Sequence, residues 1–511
     1  MVNSTLLNFN EIFDSLPEDI FDEIFSHLTI REILELRTVC KAFLKATQLR
    51  QVWFRAIRRQ ILGENLTLTR QRKPLGDLET KELEYLARRT MKLAKNMAAH
   101  NPRPTSYVTV RDQFRDNEQH SGAEIYITQV MLMDGLAGSK WLLCMSGGFK
   151  ISVWEILPDP VSCVPAGRWD NPSPMLDVKL NTLPDAEATL AITMQDKAQP
   201  GSYRAAIMKL SPLESGKIPA FITLDVLPKP TGSLVYFRGD LLFFFRRRTG
   251  NITVINWRTR AEAVFHVKTE EPEELHAYRA FEIHAGKIGL VTVDQIFVFD
   301  FPSDEATLFG SSTPRLPLAV HSLTVAGEKM KVEKATIVPY PPTWQLLLPS
   351  PDFGMSVILR RKVNSAAHEA FHYLISWNNP TEKEQKGQDS EPAADIQIRC
   401  FRKAVIAPHY CADIKYAKSG RGIVLCEAKR NVKNGKSPRK QEGLSAFDPR
   451  RRHHLTGEVV WDNEMPWRPF AGIDLPDKVL LNGCTAIDHD DGEGRIVIGT
   501  SEGKITILDF A

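Results

Sequence analysis

The sequence predicts a multidomain protein in which a small all-α segment and a helical linker precede a large all-β region. Three observations support this prediction. Apolar residues recur at helical spacing in the N-terminal part, they form short strand-like runs in the rest, and these runs return at a regular interval. At 511 residues the chain exceeds the ~250–300 residues that one hydrophobic core usually serves, so several structural units are expected.

Two capping-box patterns begin the N-terminal helices. Ser15 stands three residues before Glu18, with Pro17 in the first predicted turn, and Thr29 stands three residues before Glu32. Apolar residues follow each pattern at helical spacing, and the predicted helices are short and closely connected. Because so small a unit has little interior, part of its apolar surface is expected to bind a partner.

A longer amphipathic helix is predicted at about residues 79–99, with Leu83 and Leu93 on its apolar face and a basic flank. Pro102 ends it, because the residue before a proline disfavours the helical conformation. The linker therefore ends near residue 118. The predicted domains are residues 1–57, a helical linker at 58–118 and the all-β region at 119–511.

The recurring unit of the β region is an apolar strand, a tight turn with Gly or Asp, and a second strand. Leu241–Phe245, Gly250-Asn251 and Ile252–Trp257 form one example. The early units recur at intervals close to the ~40–50 residues of a propeller blade. Radial repetition of such units leaves few exposed strand edges. A β-propeller of seven blades is therefore predicted. Its units begin near residues 142, 190, 241, 288, 346, 423 and 496.

Two inserts explain the wider spacing of the later units. Residues 378–395 are polar and residues 429–442 are basic, and both are predicted to form long mobile loops. Short strands, frequent Gly and Pro, and the lack of helix and strand alternation argue against a doubly wound fold.

Composition excludes several classes of partner. A net charge of +3 is too small for the field that nucleic-acid binding usually needs. No apolar run approaches the ~20 residues that span a bilayer, and Met1–Phe13 lacks the pattern of a secretory signal. Neither nucleic acid nor a membrane is expected as a partner. The seven scattered cysteines fit a reducing compartment, so cytoplasm and/or nucleus are the expected locations.

One segment resembles the F-box family in the order and spacing of its residues, from Leu16-Pro17 through Val39-Cys40-Lys41 to Trp53. The resemblance implies a module that binds a Skp-type adaptor and, through it, the cullin and RING subunits of an SCF-type ubiquitin ligase. The alternative is that these helices merely cap the β region. The residues implied to form the adaptor-facing and internal apolar surface are Leu16, Pro17, Ile20, Ile24, Leu28, Leu34, Leu36, Val39 and Phe43.

The C-terminal part is similar to WD-repeat blades in the segments Thr485–Asp488, Arg495–Gly499 and Gly503–Asp509. The Gly-His dipeptides typical of that family are largely missing, so divergent blades are expected. Together the two resemblances imply a non-catalytic substrate receptor that needs no cofactor and holds an unknown target protein near the ligase. A scaffold that binds the adaptor without delivering a substrate is the alternative. A propeller hydrolase is a third interpretation, and it would need carboxylates or histidines from several blades.

Basic clusters are the candidate target-binding residues. Arg246, Arg247 and Arg248 stand at a predicted hairpin tip, where bidentate arginine contacts suit a phosphorylated or acidic peptide. The stretch 429–440 suits the same role or that of a nuclear import signal, and 450–452 is a third cluster. For each cluster the alternative is a solvated loop.

Catalytic and metal-binding motifs are not evident in the sequence. His453-His454 and His489-Asp490-Asp491 are poor metal ligands, because neighbouring residues of a strand point to opposite faces. No metal site is predicted. No cysteine lies beside a His-rich or basic catalytic motif, so the cysteines are expected to be buried and structural.

Overall fold

The computed structural model describes the chain in segments that fall into two compact units. The helical unit is Met1–Tyr107 with Asp490–Ile496 and Leu508–Ala511, and the β unit is Val108–His489 with Val497–Ile507. Between residues 401 and 472 the description covers the backbone of the strands. The described residues are 17–62, 68, 75–97, 102–111, 126–134, 140–147, 150–157, 161–170, 173–183, 185–196, 202–211, 218–228, 230, 232–246, 249–267, 278–302, 304–311, 313–325, 327–339, 353–364, 367–377, 396–406, 410–416, 422–429, 440–447, 451–452, 459–460, 471–476, 483–490 and 492–511.

Helices make up most of the described part of the helical unit, and four of the five are short. The first four contain between 6 and 10 residues each, fewer than the ~12–15 that an isolated helix needs in water, so they depend on tertiary packing. A π-helical turn, Ile57–Leu62, follows the fourth, and a 3-10 turn, Leu75–Asp77, precedes the fifth. The helices are α1 Glu18–His27, α2 Ile30–Leu36, α3 Lys41–Ala46, α4 Arg50–Ala56 and α5 Thr80–Met97.

The two predicted helix starts have different outcomes. At α2 the Thr29 hydroxyl accepts a hydrogen bond from the Glu32 N–H, and the Glu32 carboxylate accepts one from the Thr29 N–H at 2.7 Å, so the capping box is confirmed. At α1 the prediction that Pro17 lies in the first turn is wrong, because Pro17, with a ψ of 152°, is not helical and occupies the N-cap position. Ser15 lies outside the described residues.

Aromatic residues form the centre of the helical core. Trp53 is fully buried, and its indole N–H donates to the carbonyl of Thr47 at 2.8 Å. Phe21 and Phe25 of α1 meet Phe43 of α3 edge to face, with ring centroids 6.0 and 6.3 Å apart. Such aromatic pairs add about 0.5–1.5 kcal/mol to the gain from burial, so they help to hold α1 against α3.

Arg37 at the end of α2 connects three parts of the helical unit. Its guanidinium donates two hydrogen bonds to Glu84 of α5 at 2.8 and 2.9 Å, and a third to the Thr47 hydroxyl at 3.0 Å. The same group lies 5.6 Å from the centroid of the Trp53 ring. Hydrogen bonding to Arg37 lowers the pKa of Glu84 below its usual value. Paired bonds of this kind fix direction as well as distance.

The C-terminal residues of the helical unit form an ion-pair cluster with α5. Arg89 lies 3.3 Å from the carboxylate of Glu493 and 3.4 Å from that of Asp509. Arg495 contacts the same Asp509 carboxylate at 3.0 Å, and Glu493, Arg495 and Asp509 are buried. Removing one partner from a buried cluster leaves the other charges uncompensated, so this contact is strongly constrained.

Close packing along α5 also requires a glycine at position 494. Gly494 has a φ of +66°, and an added Cβ would lie 2.4 Å from a methyl carbon of Leu93. One turn further along, the Asn96 side chain accepts a hydrogen bond from the Arg103 N–H and donates one to the Phe510 carbonyl at 2.8 Å. The C-terminal residues are thereby held along much of the helix.

Four-stranded antiparallel sheets make up most of the described β unit, which confirms the predicted all-β architecture of this part of the chain. A short helix, α6 Glu305–Phe309, also lies there. The strands are β1 Ser106–Arg111, β2 Ile127–Asp134, β3 Lys140–Ser146, β4 Lys150–Leu157, β5 Ser162–Asp170, β6 Met175–Leu180, β7 Leu190–Gln195, β8 Tyr203–Leu210, β9 Phe221–Pro228, β10 Ser233–Arg238, β11 Leu241–Phe245, β12 Ile252–Asn256, β13 Glu262–Phe265, β14 Ala280–His284, β15 Lys287–Val291, β16 Gln295–Asp300, β17 Ala319–Ser322, β18 Thr324–Val325, β19 Glu328–Lys329, β20 Lys334–Pro339, β21 Phe353–Asn364, β22 Ala367–Trp377, β23 Ile396–Ile406, β24 Tyr410–Tyr416, β25 Gly422–Lys429, β26 Lys440–Phe447, β27 Arg451–Arg452, β28 Val459–Val460, β29 Ala471–Gly472, β30 Cys484–Asp490, β31 Arg495–Thr500 and β32 Lys504–Asp509.

Consecutive strands pair within most sheets. Two short ribbons, β18-β19 and β27-β28, stand beside the larger sheets. In one larger sheet β1 is the outer strand, and the other three strands come from the C-terminal end of the chain. The described four-stranded sheets have the orders β2-β3-β4-β5, β6-β7-β8-β9, β10-β11-β12-β13, β14-β15-β16-β17, β20-β21-β22-β23, β24-β25-β26-β29 and β1-β32-β31-β30.

Strand β11 shows why the middle strands are apolar without a break. Its successive side chains point to opposite faces of the sheet, and both faces are covered. Phe243 and Phe245 belong to one hydrophobic cluster, whereas Leu242 and Phe244 belong to another. A strand between two cores has no solvent-facing side on which polar residues are needed.

The predicted repeats that fall on described residues correspond to inner strands of the four-stranded sheets. The predicted starts at residues 142, 190 and 241 fall at β3, β7 and β11, and those at 288, 423 and 496 fall at β15, β25 and β31. The seventh predicted start, at 346, lies outside the described residues. The repeat is recognisable in the sequence because these inner strands carry short continuous apolar runs.

The predicted inserts have different outcomes. Residues 378–395 lie outside the described residues, so the structure does not test that insert. The predicted bounds 429–442 are too wide, because Lys429 ends β25 and Lys440 begins β26, and the two residues pair in the ladder. Lys429 and Lys440 lie at strand ends, and in a sequence a lysine at a strand end cannot be told from a lysine in the adjoining loop.

The first strands of successive sheets contact one another, as β6 does with β10, β10 with β14, β14 with β20, and β20 with β24. The Gln129 side chain of β2 donates to the Val178 carbonyl of β6 at 3.2 Å. The Thr485 hydroxyl of β30 donates to the Ile127 carbonyl of β2. Contacts therefore link consecutive sheets, and they also link the C-terminal sheet to the first.

Replacing Glu84 with glutamine is expected to reduce the loss of helical-unit stability in acid. Because the folded pKa of Glu84 is lowered below 4.5, its carboxylate stabilises the fold above the unfolded pKa, and this contribution disappears as the pH falls through the folded pKa. Urea unfolding, followed by the circular dichroism of the helices, would measure the free energy of unfolding of both chains at about pH 7 and about pH 3. The exposed Glu328→Gln is the control. Equal pH dependence in wild type and Glu84→Gln would contradict the assignment.

Replacing Asp509 with alanine is expected to destabilise the helical unit by about 3–5 kcal/mol, because Arg89 and Arg495 lose a buried partner. Chemical denaturation measures the change. The control is Asp300→Ala, which removes an exposed pair with Lys287 and is expected to cost about 1 kcal/mol or less. Similar losses in the two variants would show that the cluster contributes no more than a surface ion pair.

Candidate functional site

Several of the predicted adaptor-binding residues are exposed on the helical unit. Pro17 is exposed just before α1, and 43% of the Ile20 surface is accessible within that helix. Val39, in the turn after α2, is 66% exposed. Leu16 lies outside the described residues. Exposure of large apolar side chains on so small a unit is typical of a protein-binding surface.

Four other predicted residues are half-buried. Ile24 lies in the middle of α1 with part of its surface accessible. Leu28, Leu34 and Leu36 pack against the helical core while keeping an accessible edge. These side chains therefore belong both to the core and to the surface of the helical unit.

Phe43 is buried, with 7% of its surface accessible. It packs between Phe21 and Phe25, so in this structure it supports the surface from inside instead of presenting its own ring to a partner. The sequence prediction included Phe43 in the combined adaptor-facing and internal set, without assigning it to either part.

Leu44 was missed in the sequence. It is 39% exposed on α3, whereas its neighbours Ala42, Phe43 and Ala46 face the core. Its position out of phase with those buried residues is the signal that could have found it. Because α1 and α3 meet through Phe43, exposed residues on both helices belong to touching elements. The exposed apolar set is Pro17, Ile20, Val39 and Leu44.

Of the three arginines predicted to bind a target, the structure describes Arg246. Its N–H donates to the Asn251 carbonyl and its own carbonyl accepts from the Gly250 N–H, both at 2.8 Å, so it begins the tight turn between β11 and β12. The side chain is half-buried. The predicted hairpin is confirmed, and Arg247 and Arg248 lie outside the described residues.

The β unit also carries an exposed apolar stripe that was not predicted from the sequence. Leu316, Leu318 and Val320 alternate with less exposed neighbours on and just before β17, and all three are at least 48% exposed. In the described sheet β17 pairs with β16 on one side. The signal in the sequence was the alternation of apolar residues at period two.

The candidate metal and thiol residues are dispersed. In the segments that the structure describes, no group of three or more His, Cys, Asp or Glu side chains is placed to hold a metal ion. His489 lies in β30, whereas His453, His454 and Asp491 lie outside the described residues. No helix among the described residues is long and apolar enough to cross a bilayer.

The cysteines differ in exposure. Cys144 is buried, and burial raises the pKa of the Cys163 thiol to about 12, so this thiol stays protonated at neutral pH. Cys400 is exposed, so the prediction of a buried side chain is wrong there; it lies in β23, the last strand in the order of its sheet.

Residues 13–59 match the family model described as F-box-like. The matched range includes α1 to α4, the Leu16-Pro17 start and the buried Trp53. No curated protein matches the chain. An F-box-like domain therefore occupies residues 13–59, which supports the interpretation of the chain as an F-box protein and suggests adaptor binding in SCF-type complexes.

Proposed function

We propose that the protein is a substrate-recognition subunit of an SCF-type ubiquitin ligase. In this role the F-box-like domain binds a Skp-type adaptor, the adaptor connects it to the cullin and RING subunits, and the β unit binds a target protein. The exposed apolar set within the matched domain is the observation that carries the proposal, because burying such side chains contributes about 25 cal/mol per Å². The protein works in the cytoplasm or nucleus.

The adaptor surface combines exposed and supporting residues. Ile20, Val39 and Leu44 provide large side chains that a partner can cover without rearranging the core. Phe43 fixes the two helices beneath them, and half-buried leucines extend the contact at its edges. Pro17, which is exposed just before α1, belongs to this surface, and the proposal also includes Leu16, its neighbour in the sequence. A surface of rigid apolar residues loses little side-chain entropy on binding.

The β unit serves as a seven-bladed propeller in this proposal. Two observations support it: the first strands of successive sheets are in contact, and β30 of the C-terminal sheet bonds to β2 of the first sheet. In addition, β1 joins a sheet made of the last three strands, which would tie the two ends of the β region together. The proposed domains are residues 1–57, 58–118 and 119–511.

Target binding is assigned to the β unit, with Arg246, Arg247 and Arg248 as candidate contacts. The chain itself is non-catalytic in this scheme. By holding a target lysine close to the charged conjugating enzyme, it would raise the local concentration of the reacting groups. A scaffold that binds the adaptor without presenting a substrate is the alternative, and the fate of bound proteins distinguishes the two.

The double variant Ile20→Asp, Val39→Asp is expected to lose adaptor binding, because a partner would have to bury two charges where it now buries apolar side chains. Isothermal titration of the full chain with purified Skp-type adaptor should show weakening of about 100-fold or more. Val164→Asp replaces a similarly exposed apolar residue of the β unit and is the control. Unchanged affinity in the double variant would contradict the proposed surface.

A receptor, but not a scaffold, is expected to bind adaptor and target together and to shorten the lifetime of the target. Pull-downs of the full chain and of the Leu16→Ala, Pro17→Ala variant identify proteins that remain bound when adaptor and cullin are lost. Pulse-chase measurement then follows those proteins with either chain expressed. Faster turnover with the wild-type chain alone supports the receptor, whereas equal turnover in both cases favours the scaffold.

A further inference from the structure

A groove of about 700 Å³ opens on the helical unit beside the end of α1, along α4 and the π-helical turn. Among the eleven described residues that line it, four are arginine and none is acidic. The apolar part of the lining includes Phe25, Leu28 and Phe54. The groove therefore combines concentrated positive charge with an apolar floor.

The helix geometry places these groups in a row. Arg50, Phe54 and Arg58 are each four residues apart, so they follow one another along the same side of α4 and its extension. The guanidinium groups of Arg50 and Arg58 lie 5.4 and 5.8 Å from the centroid of the Phe54 ring. Arg50 is further held by a hydrogen bond to the Leu78 carbonyl at 2.8 Å. Two cations thus border one aromatic ring.

Hydrogen bonds fix the other side of the groove to the end of α1. Arg59 donates to the His27 carbonyl at 3.1 Å, and the Gln60 side chain donates to the Leu28 carbonyl at 2.8 Å. The same Gln60 accepts a hydrogen bond from the Ile30 N–H at 2.8 Å. The walls are therefore anchored by side-chain bonds to backbone groups, and the groove does not need a ligand to form.

Three of the four arginines that line the groove have no close carboxylate partner among the described residues. Within the described residues, no carboxylate oxygen lies within ion-pair distance of Arg50, Arg58 or Arg59. Glu32 is near enough for Arg59 to contribute to its lowered pKa, although hydrogen bonds from Thr29 are the larger cause. The arginines interact with carbonyls and with an aromatic face, which leaves their charge available to an anion.

We propose that this groove binds an acidic segment of a partner protein, with carboxylates on the arginines and an apolar side chain against Phe54. Guanidinium groups form strong charge-assisted bonds to carboxylates. The apolar floor of Phe25, Leu28 and Phe54 favours a peptide that carries both acidic and apolar residues over a bare phosphate. The inference goes beyond the proposed receptor function and does not depend on it.

The test is fluorescence anisotropy of the full chain with a short fluorescein-labelled peptide in which Asp and Glu alternate with Leu and Phe. Binding should weaken about tenfold in Arg58→Gln, because one charge-assisted contact is removed, and further in Arg58→Glu. Higher salt should also weaken it. Arg58 is exposed, and its cation–π contact with Phe54 is at the surface of the groove, so both variants are expected to fold, and thermal unfolding verifies this.

Matched probes and variants distinguish the alternatives. Lys81→Glu changes the net charge as Arg58→Glu does, but it lies outside the groove, so it should leave peptide affinity unchanged. No peptide binding, equal loss in Lys81→Glu, or equal affinity for a peptide with Lys in place of its acids would overturn the proposal. Stronger Arg58-dependent binding of single-stranded DNA or phosphatidylserine vesicles would also overturn it, in favour of a polyanion site.

The adaptor assay separates this groove from the proposed adaptor surface. Arg58→Gln should bind the Skp-type adaptor as the wild type does, and Ile20→Asp with Val39→Asp should retain the acidic peptide. If Arg58→Gln weakens adaptor and peptide alike, the groove is part of the adaptor surface, and the inference of a separate acidic partner is wrong.

Discussion

The contacts of the Arg37 guanidinium constrain the rest of the helical unit. Helices of 6 to 10 residues cannot persist alone, so their orientation has to come from contacts between them. Arg37 ends α2, lies over the buried Trp53 ring of α4 and pairs with Glu84 of α5. One planar group thereby relates three helices, and the surface on α1 and α3 inherits its rigidity from the core that these contacts close.

The helical unit offers two surfaces of different chemistry. The exposed apolar set suits a partner that gains by excluding water, and such contacts depend little on salt. The arginine groove suits a charged partner, whose approach is faster and more sensitive to ionic strength. The two surfaces use different residues of α1 to α4, apart from the half-buried Leu28 at the groove. A small module can in this way combine a stable attachment with a reversible one.

Features set by near neighbours in the sequence could be predicted, and features set by distant residues could not. The Thr29 capping box depends on residues three apart, and the apolar β11 run follows from burial on both faces, so both were recognisable. Leu44 was missed because an exposed leucine looks like a core residue until the phase of α3 is known. The groove was not predicted because its arginines resemble solvated charges in the sequence. Only the fold shows that two of them lie against the Phe54 ring.

The pairing of α5 with the C-terminal residues has a consequence for synthesis on the ribosome. Arg89 and Asp509 are 420 positions apart, so at ~5–20 residues per second the helix is made about 20 to 80 s before its ion-pair partner. During that interval the apolar face of α5 near Leu93 lacks the Gly494 surface that later covers it. In the nascent chain this part of the helix therefore stays uncovered until the C-terminal residues have been made.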